Sequence, residues 1–189
     1  MVATPVKNII TLEKFLALPE TKPASEYIDG KIVQKPMPQG KHSVIQTKLL
    51  IFINSLLLES KIAIALSELR CTFGGRSIVP DVVVLKNENI PKDDDGEVAN
   101  VVTTAPDWTI EILSPDQSTT KVIKNILHCL DRGTEVSWLI DPAEKMILAY
   151  QPDKQVQVVD LLEAELIVPE FARSIKLTAG DVFGWLKVG

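Results

Sequence analysis

The sequence predicts a mixed α/β fold of the α+β type, with a central sheet flanked by helices and an N-terminal hairpin. Apolar residues recur at helical spacing in two segments, near 42–59 and 117–131. Runs rich in β-branched and aromatic residues lie before, between and after them, and an Asp29-Gly30 pair separates two short strand-like segments. Strand and helix periods mixed in this order call for sheet and helix layers packed together.

At 189 residues the chain is long enough to bury a sizeable core and is read as one domain over residues 1–189. Hydrophobic residues make up 46% and charged residues 24%, the balance of a globular protein rather than a disordered one. No apolar run approaches the roughly 20 residues needed to cross a bilayer. Residues 1–15 lack the basic, apolar, small-residue order of a signal peptide, so a cytoplasmic protein is expected. Cys71 and Cys129 are far apart, flanked by apolar residues and outside any CxxC pair, which suits reduced core thiols and not structural zinc. The net charge of −5 and pI near 5.1 argue against tight non-specific DNA binding by a monomer. A local basic rim around a metal site remains compatible with that charge, because the metal neutralises phosphate.

Thr11 is placed to cap a short helix reaching Leu18, ahead of Pro19. Glu26 to Val33 reads as a hairpin about Asp29-Gly30, and Pro36, Pro38 and Gly40 mark a loop. Ile45, Leu49, Phe52, Ile53 and Leu56 give an amphipathic helix over 42–59. Ile62 to Phe73 and Ser77 to Leu85 are expected as two strands joined by Gly74-Gly75-Arg76, followed by a long exposed loop over 86–106. Asp107 to Leu113 is the next strand, then a helix over 117–131 stopped by Gly133. Val136–Ile140, Met146–Gln151 and Gln155–Leu161 are three further strands, the last two forming a hairpin about Pro152-Asp153. A short helix near Ala179-Gly180 closes the chain.

Two acids stand in apolar surroundings. Asp81 follows Pro80 at the head of Val82-Val83-Val84-Leu85, and Glu111 lies between Ile110 and Ile112. Burying an ionised carboxylate costs several kcal/mol or more unless a charge or a metal compensates it. For one acid in a strand, pointing outward to water is the simpler reading. Two acids in adjacent apolar strands, one after proline and one before a Ser-Pro turn, point instead to a site. Mg²⁺ or Mn²⁺ is the cation such a pair suits, since hard cations accept oxygen ligands and need few of them from the protein.

Pro80-Asp81, a variable loop, then Glu111-Ile112-Leu113-Ser114-Pro115 resembles the acidic core of the PD-(D/E)XK nuclease superfamily. More narrowly it resembles a bacterial family of restriction-endonuclease type, Uma-two-like. The resemblance extends over most of the chain: Glu26-Tyr-Ile-Asp-Gly30 is similar to that family's N-terminal hairpin, His42 with Ile45 and Leu49 to the start of its first long helix, and Gly133 with Val136 to Pro142 to its strand ending in Asp-Pro. It implies a restriction-endonuclease-like fold and a Mg²⁺-dependent endonuclease hydrolysing DNA phosphodiesters, with Asp81 and Glu111 as metal ligands and a nearby lysine orienting water and balancing negative charge. The superfamily pattern puts that lysine two residues after the acid, where this chain has Leu113. The narrower family carries it on the following helix, among Asp, Lys and Tyr spaced four apart. Those positions are Lys121, Asn125 and Cys129 here. Lys121 and Lys124 are therefore the candidate catalytic lysines, Lys121 preferred as nearer Glu111, with an ordinary solvated lysine as the equal alternative. Helical steps place Lys121, Lys124, Asn125 and His128 on one face, and Ile123, Ile126, Leu127 and Leu130 on the opposite, buried one.

Glu68 is a candidate third metal ligand or an exposed strand residue. Glu26 either reaches the site from the hairpin or is exposed. His42 and Gln46, one turn apart, either touch substrate and water or serve polar packing at the helix start. Asp93-Asp94-Asp95-Gly96-Glu97 fails as a calcium loop because the twelfth position from Asp93 is Thr104. Trp108, Trp138 and Trp185 suit core or subunit contacts better than base stacking. Three functions compete: a metal-dependent DNA endonuclease; a nuclease-derived binding or assembly module that no longer cuts, favoured by the altered helix positions and acidic pI; and, more remotely, a hydrolase acting on a different phosphoester or nucleotide. For the first a homodimer is expected, with Lys31, Lys35, Lys41 and Lys48 along a DNA groove.

Overall fold

The computed structural model describes residues 10–115 and 117–187. Most of residues 1–15, read above for a leader, therefore lie outside it. Thr11 caps the first helix, α1 (Leu12–Leu16), its hydroxyl accepting from Lys14 N at 3.3 Å. Strands β1 (Ser25–Ile28) and β2 (Lys31–Gln34) form the expected hairpin, with Ile28 opposite Lys31. The two turn residues, Asp29 and Gly30, have φ of 51° and 79°. A two-residue turn of this hand needs positive φ at both positions, which Asp-Gly adopts at low cost. The long helix α2 (Gly40–Leu57) follows.

The next segments depart from the sequence reading. The two long strands expected over 62–73 and 77–85 are each broken in two, giving β3 (Ala63–Ser67), β4 (Cys71–Phe73), β5 (Arg76–Ile78) and β6 (Val82–Lys86). The breaks fall at 68–70 and 79–81. Glu68 has φ 48°, which turns the chain out of the sheet plane, and Pro80 has no N–H to give a ladder. The bent hairpin thus joins two sheets. β4 and β5 complete a four-stranded sheet of order β2-β1-β5-β4, while β3 and β6 belong to a six-stranded one. Where the hairpin crosses, Glu68 N donates to Asp81 O at 3.2 Å.

The six-stranded sheet runs β10-β9-β8-β7-β6-β3, with β7 (Trp108–Ile112), β8 (Val136–Asp141), β9 (Met146–Tyr150) and β10 (Gln157–Val159). It is antiparallel except for β7 and β8, which are parallel and connected by helix α3 (Thr119–Leu130). A parallel neighbour requires such a crossover. On one face Ile45, Leu49, Ile53 and Leu57 of α2, all 0% exposed, pack on Val82, Val84, Ile110 and Ile112. The C-terminal segment and α4 (Ala179–Gly184) complete that layer. Trp108 and Trp138 meet there edge to face, 4.7 Å between centroids. On the other face Val83 and Leu85 contact the small sheet through Cys71, Phe73 and Ile78, and Leu139 lies under α3. The alternation along β6 (even positions to one layer, odd to the other) shows a strand buried on both sides.

α3 is rotated from its expected facing. Its buried residues are Val122, Asn125, Ile126 and Cys129, while Leu127 is 46% exposed. The helix rests on the hairpin as well as on the sheet, and the hairpin offers it the carboxylate of Glu26, so a polar residue is buried where an apolar one was expected. His128 stacks on Phe73, 4.9 Å between rings.

Both cysteines are buried in the layer under the small sheet, and burial pushes the Cys71 thiol up to about 12. Since the thiolate is the reactive form, native protein at pH 8 is expected to take up no iodoacetamide, and protein in guanidinium two equivalents. Mass spectrometry reads this directly, and modification of the native form would contradict the burial described.

Candidate active site

The hairpin that changes sheets leaves three residues, Val79-Pro80-Asp81, spanning the joint. Their polar groups find partners outside any ladder. Val79 N donates to Glu26 Oε1 at 2.8 Å, and Val79 O accepts from Lys35 Nζ at 2.7 Å. Asp81 O accepts from Gln46 Nε2 at 2.8 Å. A buried bend with unpaired backbone groups would be costly, so these side chains are structural requirements of the joint.

Asp81 is 2% exposed, and Glu111 and Glu26 are 5% exposed each. Asp81 Oδ2 accepts from Ile112 N at 2.7 Å, which ties it to β7 beside Glu111. Lys35 Nζ lies between the two acids, 2.7 Å from Asp81 Oδ1 and 3.3 Å from Glu111 Oε2. Glu26 Oε2 accepts from Asn125 Nδ2 at 3.1 Å. His42 is buried in the first turn of α2, its Nδ1 3.3 Å from Ser114 Oγ and its Nε2 3.5 Å from Asp81 Oδ1 without a hydrogen bond.

Three buried carboxylates thus share one ammonium. Opposite charges about 4 Å apart gain roughly 4 kcal/mol at an effective dielectric near 20, while burying each charge costs several kcal/mol. One lysine does not offset three such penalties. Burial accordingly holds the Glu111 carboxyl well above the usual carboxylate range; Lys35 opposes this, and Asp81 and Glu26 push it further up. Burial also raises Glu26. Burial works against the Lys35 charge as well, yet Glu111, Asp81 and Glu26 together hold its ammonium above the ordinary lysine range.

The surplus of negative charge and the hard oxygen donors of Asp81 and Glu111 fit a divalent cation beside Lys35, whose Nζ lies between Asp81 Oδ1 and Glu111 Oε2. Among the described residues no group of three or more His, Cys, Asp or Glu is gathered for a metal. Two protein oxygens with water or substrate completing the shell suit Mg²⁺. Asp81 borders an open cleft of about 310 Å³ whose wall also includes Lys35, His42 and Ser114, while Glu111 and Glu26 line a small cleft on the α3 side together with Lys35. A second cavity of about 570 Å³ adjoins the open cleft, sharing His42, Ser114 and Gln117.

The structure brings Asp81, Glu111 and His42 together. Gln46 lies beside them, but its amide is committed to the Asp81 backbone. Glu68 is exposed on the rim of the same cleft, at the bend after β3. Lys121 is exposed beside a small cleft that also reaches Lys35 and Glu111. Lys124 is exposed, its carbonyl accepting from Arg76. Of the lysines assigned to a groove, Lys31, Lys41 and Lys48 are exposed, whereas Lys35 is turned inward to the acids. Lys35 and Asn125 are the site residues that the sequence reading missed. A signal existed. Lys35 N continues the hairpin ladder to Ala24 O, and Glu26 is opposite Val33, so Glu26 and Lys35 are diagonal neighbours of opposite charge on one face.

A mixed sheet flanked by helices, with a buried acidic cluster where a strand pair bends out of it, places the protein in the restriction-endonuclease-like class. The chain belongs to the Uma2 family, described as "Putative restriction endonuclease", whose match runs over residues 12–180. A similar solved structure is that of "a putative nuclease belonging to DUF820" from Anabaena variabilis ATCC 29413. It is 56% identical, covers 94% of this chain and 99% of its own, and superposes with a TM-score of 0.93. Curated proteins gave no match.

Because folding raises the pKa of Glu111, its cost to stability is absent below the ordinary carboxylate range and grows as pH rises through the raised folded value. Glu111→Gln is therefore expected to melt above the wild type in metal-free buffer at pH 8, by about 1 kcal/mol, the scale of gains seen when a strained functional residue is relieved. The gain should shrink toward pH 5. Thermal melts with chelator at both pH values test this, and a lower melting point at pH 8 would contradict it.

Proposed function

We propose that the protein is a cytoplasmic metal-dependent endonuclease that hydrolyses phosphodiester bonds in DNA. The observation that carries this reading is that Asp81 and Glu111, both buried, lie side by side against one cation, Lys35 Nζ, with Asp81 and Lys35 on the wall of an open cleft. Asp81 and Glu111 would hold Mg²⁺ or Mn²⁺. A divalent cation bound there supplies Lewis-acid activation of the phosphoryl oxygen and of a water. The protein's own contribution is to fix the two carboxylates, Asp81 through Ile112 N and Glu111 through β7, and to keep the site largely dry. Family membership and the Anabaena neighbour described as a nuclease support the reaction class.

Purified protein should nick supercoiled plasmid with Mg²⁺ or Mn²⁺ and not with chelator. Asp81→Ala and Glu111→Ala should each lower the rate by at least about 100-fold, the scale of losing a principal transition-state stabiliser. Mn²⁺ at about 100 times its Kd should stabilise the wild type by about 2.7 kcal/mol and the two variants by far less. Undiminished cutting by the double variant would eliminate the proposal.

The second reading, a nuclease-fold module that binds without cutting, draws on Asn125 standing where the family pattern has a lysine. It predicts Mn²⁺ binding with no cleavage. For the nuclease we also propose a homodimer, one site per DNA strand. The edge strand β10 leaves Val158 56% exposed, with Leu161 68% exposed just beyond it, an apolar edge suited to a second copy. Light scattering at micromolar concentration should give twice the 20.9 kDa chain mass; a monomer would refute it.

A further inference from the structure

We infer that Lys35, carried on the N-terminal hairpin, is the lysine of this site and performs the role that the family pattern gives to the α3 position held here by Asn125. The inference rests on the nuclease reading and assigns a residue to it.

Three features of the structure support the assignment. Lys35 Nζ is the ammonium in contact with the acids, 2.7 Å from Asp81 Oδ1 and 3.3 Å from Glu111 Oε2. Its stem is fixed at both ends. The backbone N–H is bonded to Ala24 O, and Nζ is bonded to Val79 O at 2.7 Å. Its side chain is 12% exposed and lines the cleft, so it faces the space a phosphodiester would enter. The helix position matching the family's lysine holds Asn125, whose amide bonds Glu26, and Glu26 in turn bonds Val79 N. The residue that replaces the helix lysine thus helps to dock the hairpin that delivers another lysine.

In hydrolysis the water oxygen forms a bond to phosphorus and the ester P–O bond breaks. One water proton passes to solvent, and the leaving oxygen gains one from solvent. Lys35 keeps its proton throughout: its three N–H groups hold Val79 O, Asp81 and Glu111, and its fixed positive charge stands beside the attacking water and the phosphoryl oxygens. Neither Lys121 nor Lys124 makes a hydrogen bond or ion pair with Asp81, Glu111 or Glu26, so neither has that fixed geometry.

The test uses Lys35→Cys followed by alkylation with 2-bromoethylamine. The new thiolate displaces bromide to form a C–S bond, its proton goes to buffer, and a lysine-length ammonium is restored. Cys71 and Cys129 are 0% and 1% exposed and stay unmodified in the folded protein. Lys35→Cys is expected to cut plasmid about 100-fold slower than wild type, and the aminoethylated protein to recover at least about tenfold. Lys35→Gln keeps hydrogen-bond donors at the joint and provides a folded alternative if the cysteine variant is unstable; it should show the same loss. Calorimetric titration separates chemistry from scaffolding. Lys35→Gln should bind Mn²⁺ at least as tightly as wild type, because the ammonium competes for the same oxygens.

Wild-type cutting by Lys35→Gln overturns the inference. So does loss of its Mn²⁺ binding, which would make Lys35 a prop for the acids. Failure of aminoethylation to rescue, or loss of cutting confined to Lys121→Ala, overturns it as well. A wild-type protein that cuts nothing with either metal defeats the nuclease reading itself, and this assignment with it.

Discussion

One ammonium among three buried carboxylates holds the centre of this molecule together. Lys35 satisfies Val79 O, Asp81 and Glu111 at once, and Glu26 satisfies Val79 N. These contacts sit where a hairpin leaves one sheet and enters another. A bend through two layers strands backbone groups in the interior, and the alternative to partnering them is an unfavourable desolvation of each. The four-stranded sheet therefore stays over the six-stranded one through charged side chains at the joint as well as through the apolar layer of Cys71, Phe73, Ile78, Val83 and Leu85. The same residues that close the joint are those with the chemistry to hold a cation.

That coincidence has an energetic consequence. A charge cluster that is short of positive charge weakens the fold it belongs to, as the upward shift of the Glu111 carboxyl indicates, and the divalent cation proposed above would relieve it. Function and stability are in tension at this point, as at many active sites. The surrounding apolar layers supply the margin: α2 alone contributes four fully buried side chains against the sheet, each worth on the order of 1.5–3 kcal/mol relative to exposure.

Much of the architecture was legible in the sequence because local rules act locally. Asp29-Gly30 permits one kind of turn, Thr11 one kind of cap, and the period of Ile45, Leu49 and Ile53 one kind of surface. The acids were legible because Asp81 and Glu111 interrupt apolar strands. The breaks at 68–70 and 79–81 were harder to see, since Ile78-Val79 and Val82-Val83 read as one run and only Pro80 hints at an interruption. The facing of α3 was misread because Asn125 is polar and Leu127 apolar; burial of the asparagine depends on Glu26, 99 residues away in sequence. Lys35 was hidden for the same reason. Its role is set by three partners brought in by the tertiary fold, and a lysine before a proline looks like any surface lysine.

The parallel pair β7 and β8 has a further implication. Both strands run out at the same edge, and the larger cavity opens there, between Leu113, Ser114 and Pro115 on one side and Asp141, Pro142 and Ala143 on the other. Crevices beyond the carboxyl ends of parallel strands are built from loops. Loops lengthen and change sequence at low cost, since no ladder depends on them. The walls of this cavity are thus free to diverge while the charged joint beneath them stays fixed. A lineage built on this scaffold can alter what it recognises without rebuilding what it does.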